Sequence, residues 1–198
     1  IPGGLSRKAR HQIKSARGQQ YRNPSKKMRV RGIFHATRVP KKANSYANLQ
    51  ELRALNTELK ELKSKGVSQV GIENLITSIP GPGSTLRLDP MLRYFYGAHL
   101  LMRRVGIRGV EIGNPLLNHI QDAIGQSRVL DRYFPRSVSR EVFQAFSYYR
   151  TLQMVEKARK MGVNTIFMGG AHVAHLSGKK FDIQYLGISK PIIKPSSV

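Results

Sequence analysis

The chain has 198 residues, enough for one medium-sized domain, and carries 34 Lys and Arg against 11 Asp and Glu, a formal net charge of +23. So large an excess of one sign repels itself in a compact monomer and is typical of proteins that bind a polyanion, nucleic acid above all. The absence of cysteine excludes disulfides and thiolate metal sites, and no apolar run approaches the roughly 20 residues that span a bilayer.

The first fifty residues contain thirteen Lys and Arg and no acid, since the first acid is Glu51. Apolar residues are too sparse there for a long helix or strand, so we interpret residues 1–47 as a basic extended arm. Such an arm is expected to be disordered alone and to become ordered on RNA. Because the chain begins at Ile1, we also expect that a targeting segment has been removed. The RNA-binding candidates of the arm are Arg7, Lys8, Arg10, Lys14, Arg17, Arg22, Lys26, Lys27, Arg29, Arg31, Arg38, Lys41 and Lys42.

Residues 48–187 are predicted to form the body. The stretch NLQELRALNTELKELKSK (48–65) places five leucines, from Leu49 to Leu62, on one face of a helix that ends before Gly66. The pattern does not show whether this face meets its own core or a partner. The following VSQVGIENLITSI is compatible with a short strand or a turn of helix, and PGPGS at 80–84 indicates a loop.

Two Asx-Pro pairs predict helix starts, because Asp or Asn caps a helix and proline suits its first position. The helix after Asp89 is expected to end at Gly106, and the one after Asn114 at Gly125. A fourth helix is predicted over 138–161, with an apolar face formed by Val142, Ala145, Phe146, Tyr149, Leu152 and Val155.

Two strands are predicted after these helices, in VNTIFM and in KKFDIQYLGI. Residues 188–198 are predicted to be an extended C-terminal tail. The expected fold class is therefore α+β and mainly helical: a small body of about four helices with a few short strands near the C-terminus, plus the arm and the tail.

Sites for chemistry are sparse in the sequence. His172 and His175 have a spacing that could bind a metal, but zinc needs further ligands and Asp182 is the only acid after Glu156, so we favour a packed or RNA-facing pair. Gly169-Gly170 follows a strand as phosphate loops do, but lacks their spacing. No nucleophile elbow is present. We therefore expect no enzymatic activity, no metal or other cofactor, and no small-molecule substrate.

Basic residues of the body complete the set of RNA-binding candidates, because Lys and Arg bind phosphate, Arg in bidentate geometry. These candidates are Arg103, Arg104, Arg108, Lys179 and Lys180.

Taken together, the acid-free arm, the small helical body, the Pro-Lys tail and a pI of about 10.9 resemble ribosomal proteins, most closely the mitochondrial kind. Locally, His172-Val173 followed by Gly178–Ile183 is similar to the α-L RNA-binding motif, from which Ala174, His175 and Ser177 depart. The resemblance implies a structural ribosome component in the mitochondrial matrix, or in another ribosome-containing compartment. Its partners would be ribosomal RNA and neighbouring ribosomal proteins, and its RNA binding would depend strongly on salt.

Two other hypotheses remain open. One is an RNA-acting enzyme or a ribosome assembly factor with a site near residues 169–182. The other is a basic subunit of a membrane-associated organellar complex.

Overall fold

The computed structural model describes residues 27–33, 41–78, 81, 90–117, 120, 135–176 and 178–187, with the backbone alone at 41–48, 90, 136, 137 and 140. We number its elements in chain order. The strands are β1 (Met28–Ile33), β2 (Gln69–Ile72), β3 (Arg108–Glu111), β4 (Thr165–Gly169) and β5 (Phe181–Tyr185). The helices are α1 (Lys41–Ser64), α2 (Pro90–Val105), α3 (Arg136–Lys160) and the single turn α4 (Gly170–Val173).

The five strands form one parallel sheet in the order β3-β2-β4-β1-β5. The expected fold class was therefore wrong: the chain is an α/β protein, not a mainly helical α+β body with a few strands near the C-terminus. The two unpredicted strands explain the error. β1, in MRVRGI, carries two arginines and lies within the segment interpreted as the arm, and β3, in RGVE, has four residues. Strands of parallel sheets are buried on both faces, so they lack the polar alternation that reveals a strand.

Helices cover both faces of the sheet. α1 and α2 pack on one face, where Leu59 and Phe95 meet Ile72 and Phe167. α3 and α4 cover the other face, where Met154 and Val173 join Val30, Ile166 and further residues in a second core. Successive strand residues alternate between these cores, because side chains of a strand point to opposite faces in turn.

Three predicted helices are confirmed. α1 begins earlier than expected, at Lys41, and Leu55, Leu59 and Leu62 are buried in its own core, whereas Leu49 is 47% exposed. α2 begins at Pro90, and left-handed glycines follow the ends of α1, α2 and α3 (Gly66, Gly106 and Gly162). Of the helix predicted after Asn114, the structure describes a helical turn at 115–117 and residue 120, and the remainder lies outside the described residues.

Of the residues predicted to form the apolar face of α3, Val155 is buried in the core, but the face as a whole does not pack on the sheet. Val142, Tyr149 and Leu152 are 43%, 49% and 44% exposed. The buried face consists instead of Ser147, Arg150, Thr151, Met154, Val155 and Ala158. Hydrophobic periodicity missed this face because half of its residues are polar. The polar half carries the interactions described below.

The ends predicted as basic extensions are largely outside the described residues: 1–26 and 34–40 of the arm, and the tail 188–198. Among the described residues, no helix is both long enough and apolar enough to cross a membrane.

Gly113 offers a test of how tightly the ends of β2 and β3 are joined. Its N–H donates to the Glu73 carbonyl oxygen at 3.0 Å, and an added Cβ would collide with that same backbone oxygen. We expect Gly113→Ala to lower the free energy of unfolding by about 3 kcal/mol, since backbone cannot rotate away as a side chain can. Urea denaturation measures the change.

The control for this prediction is Gly178→Ala, where a Cβ would meet nothing within 4 Å. This variant should change the free energy of unfolding by less than about 0.5 kcal/mol. Equal denaturation midpoints for the two variants would contradict the predicted collision.

Candidate functional site at the carboxyl edge of the sheet

The topology of the sheet changes at the end of β4. The connections that leave β1 and β2 lead to α1 and α2 on one face, whereas β4 leads directly into α4 on the other face. Because β4 lies between β2 and β1, neighbouring connections diverge at its carboxyl end. Open α/β sheets bind ligands at such switch points.

Glu73 lies at this point, directly after β2 and only 3% exposed. Its N–H continues the ladder to β4 by donating to the Phe167 carbonyl at 3.0 Å. Its side chain points to the α3 face, since Ile72 before it points to the other. The Oε2 atom accepts the Gly169 N–H at 2.7 Å, at the start of α4. The end of β4, where the sequence disfavoured a phosphate loop, therefore binds a carboxylate of the same chain.

Arg150 of α3 neutralises this carboxylate. Its Nη2 donates to Glu73 Oε1 at 3.1 Å, and the arginine is 7% exposed. Removing two charges from water costs more than most ion pairs return, so a buried pair of this kind is weak evidence of a stabilising role. Buried charged side chains beside a switch point of the sheet are therefore considered as a candidate functional site.

The tautomer of His172, which is 5% exposed, follows from its neighbour Thr151. The Thr151 hydroxyl has one proton and donates it to the Ser147 carbonyl at 2.8 Å. Its oxygen, 2.9 Å from His172 Nδ1, can therefore only accept there, which places a proton on Nδ1. His172 Nε2 then faces Glu73 Oε1 at 3.4 Å.

The second imidazole takes no part in this pair. His175 Nε2 lies 3.2 Å from Ser147 Oγ, and its ring meets Tyr148 edge-on. Burial, reinforced by the nearby His172, lowers the pKa of His175, so this ring is neutral at pH 7. The two histidines thus have separate partners. Within the described part of the chain, no group of three or more His, Asp and Glu could hold a metal ion.

We call Glu73, Arg150, Thr151 and His172 the carboxyl-edge cluster. The sequence drew attention only to His172 and to the glycines at 169–170. The sequence did not single out Glu73, because the segment before it could be read as a strand or as a turn of helix. Arg150 and Thr151 were not singled out because they lie among apolar residues of α3. The available signal was an acid at the end of a strand, which is visible only once the strand is known.

Arg31, a predicted RNA-binding residue, is used inside the fold. It lies on β1 and is 7% exposed, with Nε 2.6 Å from Glu58 Oε1 of α1 and Nη1 3.4 Å from Asp182 Oδ2 of β5. These contacts join α1 to two strands. Asp182 is therefore engaged away from His172, although both residues fall within the predicted region 169–182.

The exposed predicted bases lie at the opposite edge, where the strands begin. Lys27 precedes β1, Arg108 begins β3, and Lys179 and Lys180 precede β5, while Arg103 and Arg104 are in the last turn of α2. Arg29, in β1, is partly buried, and Lys41 and Lys42 are described by their backbone alone. The candidates outside the described residues are Arg7, Lys8, Arg10, Lys14, Arg17, Arg22, Lys26 and Arg38.

Comparison of this chain with protein-family models, with curated proteins and with solved structures finds no match.

The assigned tautomer of His172 can be measured by ¹⁵N NMR of labelled histidine. We expect Nδ1 of His172 to carry a proton in the wild type. Thr151→Val removes the acceptor while keeping the shape of the side chain, so the neutral ring should then shift towards the Nε2–H tautomer.

Thr57→Val provides the control, because the Thr57 hydroxyl makes the same type of bond inside a helix, to the Arg53 carbonyl, at an exposed position of α1. It should leave the His172 signals unchanged. An Nε2–H tautomer in the wild type would contradict the assignment, because the Thr151 hydroxyl would then donate its proton to His172 Nδ1.

Proposed function

We propose that this protein is an enzyme that acts on RNA, with Glu73, His172 and Arg150 as its reactive groups. The observation that supports this proposal is the convergence of three ionisable side chains, each less than a tenth exposed, at the switch point of a doubly wound sheet. RNA as the substrate is supported by the net charge of +23 and by the acid-free first fifty residues. The sequence alone favoured the absence of catalysis.

The three groups suit cleavage of an RNA strand by its own 2′-hydroxyl. In this reaction the 2′-oxygen attacks phosphorus, and the bond from phosphorus to the 5′-oxygen breaks. Glu73 would accept the 2′-hydroxyl proton, and His172, protonated on Nε2, would donate a proton to the departing 5′-oxygen. Arg150 would offset the charge that develops on the phosphoryl oxygens. The products would be a 2′,3′-cyclic phosphate and a 5′-hydroxyl.

The distances are compatible with these roles. The Glu73 Oε2 bond to Gly169 N–H, at 2.7 Å, fixes the carboxylate in place. The His172 Nε2 to Glu73 Oε1 distance of 3.4 Å is longer than the roughly 2.7–2.9 Å of a strong charge-assisted bond. His172 is held at Nδ1 by Thr151, so its Nε2 can exchange this loose contact for a substrate oxygen.

The test is a cleavage assay with a 5′-labelled single-stranded RNA. We expect His172→Gln and Glu73→Gln each to reduce cleavage on the order of 10²–10⁴-fold, the usual contribution of a general acid or base. Thermal unfolding monitors whether each variant remains folded. Substrate with one 2′-deoxynucleotide at the scissile position should resist cleavage there, because the nucleophile is missing.

Matched controls are His99→Gln, on the opposite face in α2, and Glu141→Gln, at an exposed position of α3. Both should cleave within about twofold of the wild type. Absence of cleavage by the wild type, or equal loss in the controls, would rule out this reaction.

A second candidate function is structural, as a component of a mitochondrial ribosome that binds ribosomal RNA and neighbouring ribosomal proteins in the matrix. The observation that favours it is the concentration of thirteen bases and no acid in the first fifty residues, which suits threading between RNA helices.

Sedimentation of the tagged protein from organelle lysate tests this second function. Co-migration with one ribosomal subunit, lost after ribonuclease treatment, is the expected result for a ribosome component. Migration as a light species in both conditions would contradict it and leave the enzymatic function.

A further inference from the structure

The edge of the sheet opposite the carboxyl-edge cluster is strongly basic. Ten exposed Lys and Arg lie where strands begin and where α1, α2 and α3 end, and we call them the basic amino edge. They are Lys27, Lys63, Lys65, Arg103, Arg104, Arg108, Arg159, Lys160, Lys179 and Lys180. The described acids beside them are Glu61 and Glu156, which each pair with a base one turn away (Lys65 and Lys160), and Asp182, which pairs with the buried Arg31.

From this distribution we infer that the basic amino edge is an RNA-docking surface, separate from the carboxyl-edge cluster. This inference rests on the proposed function only in its choice of RNA as the partner. Across five strands at about 4.8 Å spacing, the edge presents charge over about 19 Å. Several phosphates of one RNA can therefore be bound at once.

Helix dipoles explain only part of this charge. Bases in the last turn of a helix gain about 0.3–1 kcal/mol from the dipole, which accounts for residues such as Lys63 or Arg159. Lys27, Arg108 and Lys180 are at the starts of strands and not in the last turn of a helix, within which the dipole effect is confined. Binding of a polyanion to this surface would account both for the bases at helix ends and for those at the starts of strands.

Contacts inside the edge hold several of these side chains close to it. Lys27 Nζ donates to the Gly178 carbonyl at 3.2 Å, and Lys63 Nζ to the Gly106 carbonyl at 2.8 Å. The Arg159 guanidinium lies over the Phe181 ring, 5.7 Å from its centroid. Arg103, Arg104, Arg108 and Lys180 form no ion pair with any described acid, so their charge is directed at solvent.

RNA fits this surface better than a membrane does. The chain reaches the sheet at Lys27, so the seven bases and no acids of residues 1–26 join the body at this same edge. A membrane-binding surface would add large apolar side chains for insertion. At this edge the exposed large apolar side chain is Met161; the others in the described residues lie elsewhere.

The test is binding of a fluorescein-labelled 20-nucleotide single-stranded RNA, followed by anisotropy at several salt concentrations. The variant Arg108→Gln/Lys180→Gln removes one charge from each end of the edge without touching a helix end. We expect roughly tenfold weaker binding at 0.1 M salt, and a log–log salt slope less negative by about 1.4, at about 0.7 per phosphate contact.

The matched control is Arg53→Gln/Arg93→Gln, which removes two exposed charges from α1 and α2 away from this edge. Its affinity should stay within about twofold of the wild type. Equal losses in both variants, or no binding by the wild type, would overturn the inference. If Arg108→Gln/Lys180→Gln lost binding to phosphatidylserine vesicles but kept the wild-type affinity for RNA, the inference would also be overturned, in favour of a membrane surface.

The same RNA separates this inference from the proposed function. Binding through the edge without cleavage would refute the catalytic proposal alone. Cleavage by a protein whose edge variant binds RNA as the wild type does would refute the docking surface alone.

Discussion

The carboxylate of Glu73 is the interaction on which the organisation of the α3 face depends. Its two oxygens contact the start of α4 through Gly169 N–H, α3 through Arg150, and the His172 ring. One buried carboxylate therefore connects the end of β2 with α3 and with the start of α4. Moving it would remove one buried acceptor from the Arg150 guanidinium and from the Gly169 N–H, which is costly.

The two edges of the parallel sheet carry side chains of different charge. All strands begin at one edge and end at the other, and the helices run back in the opposite direction. In this protein the exposed bases collect at the amino edge, whereas Glu51, Glu73 and Glu111 lie near the carboxyl ends of strands. The two edges are about 17 Å apart for a five-residue strand. An extended polyanion held at one edge would have to pass around the body to reach the other, so the proposed binding and the proposed reaction can be tested by different substitutions.

α3 combines these features in one helix. It has 25 residues, about 37 Å, and is much longer than the strands it crosses. Its middle, with Ser147, Arg150 and Thr151, lies level with the ends of β2 and β4, and its last turns pack on the strands through Met154 and Ala158. Its first turns project past the sheet, which is why the apolar residues Val142 and Phe143 remain exposed there.

The sequence by itself determined three helices and two strands, because these depend on local patterns: leucine spacing in α1, Asp89-Pro90 before α2 and β-branched residues in β4. The sum of its charges is the basis for proposing a polyanion as the partner. Only the tertiary structure decided that β1 and β3 are strands, that α3 turns its polar side inward, and that Glu73, Arg150 and His172 meet. These residues are separated by 77 and by 22 positions, and no local periodicity relates them. Their meeting follows from strand order, which arises from the packing of the whole sheet and not from any one segment.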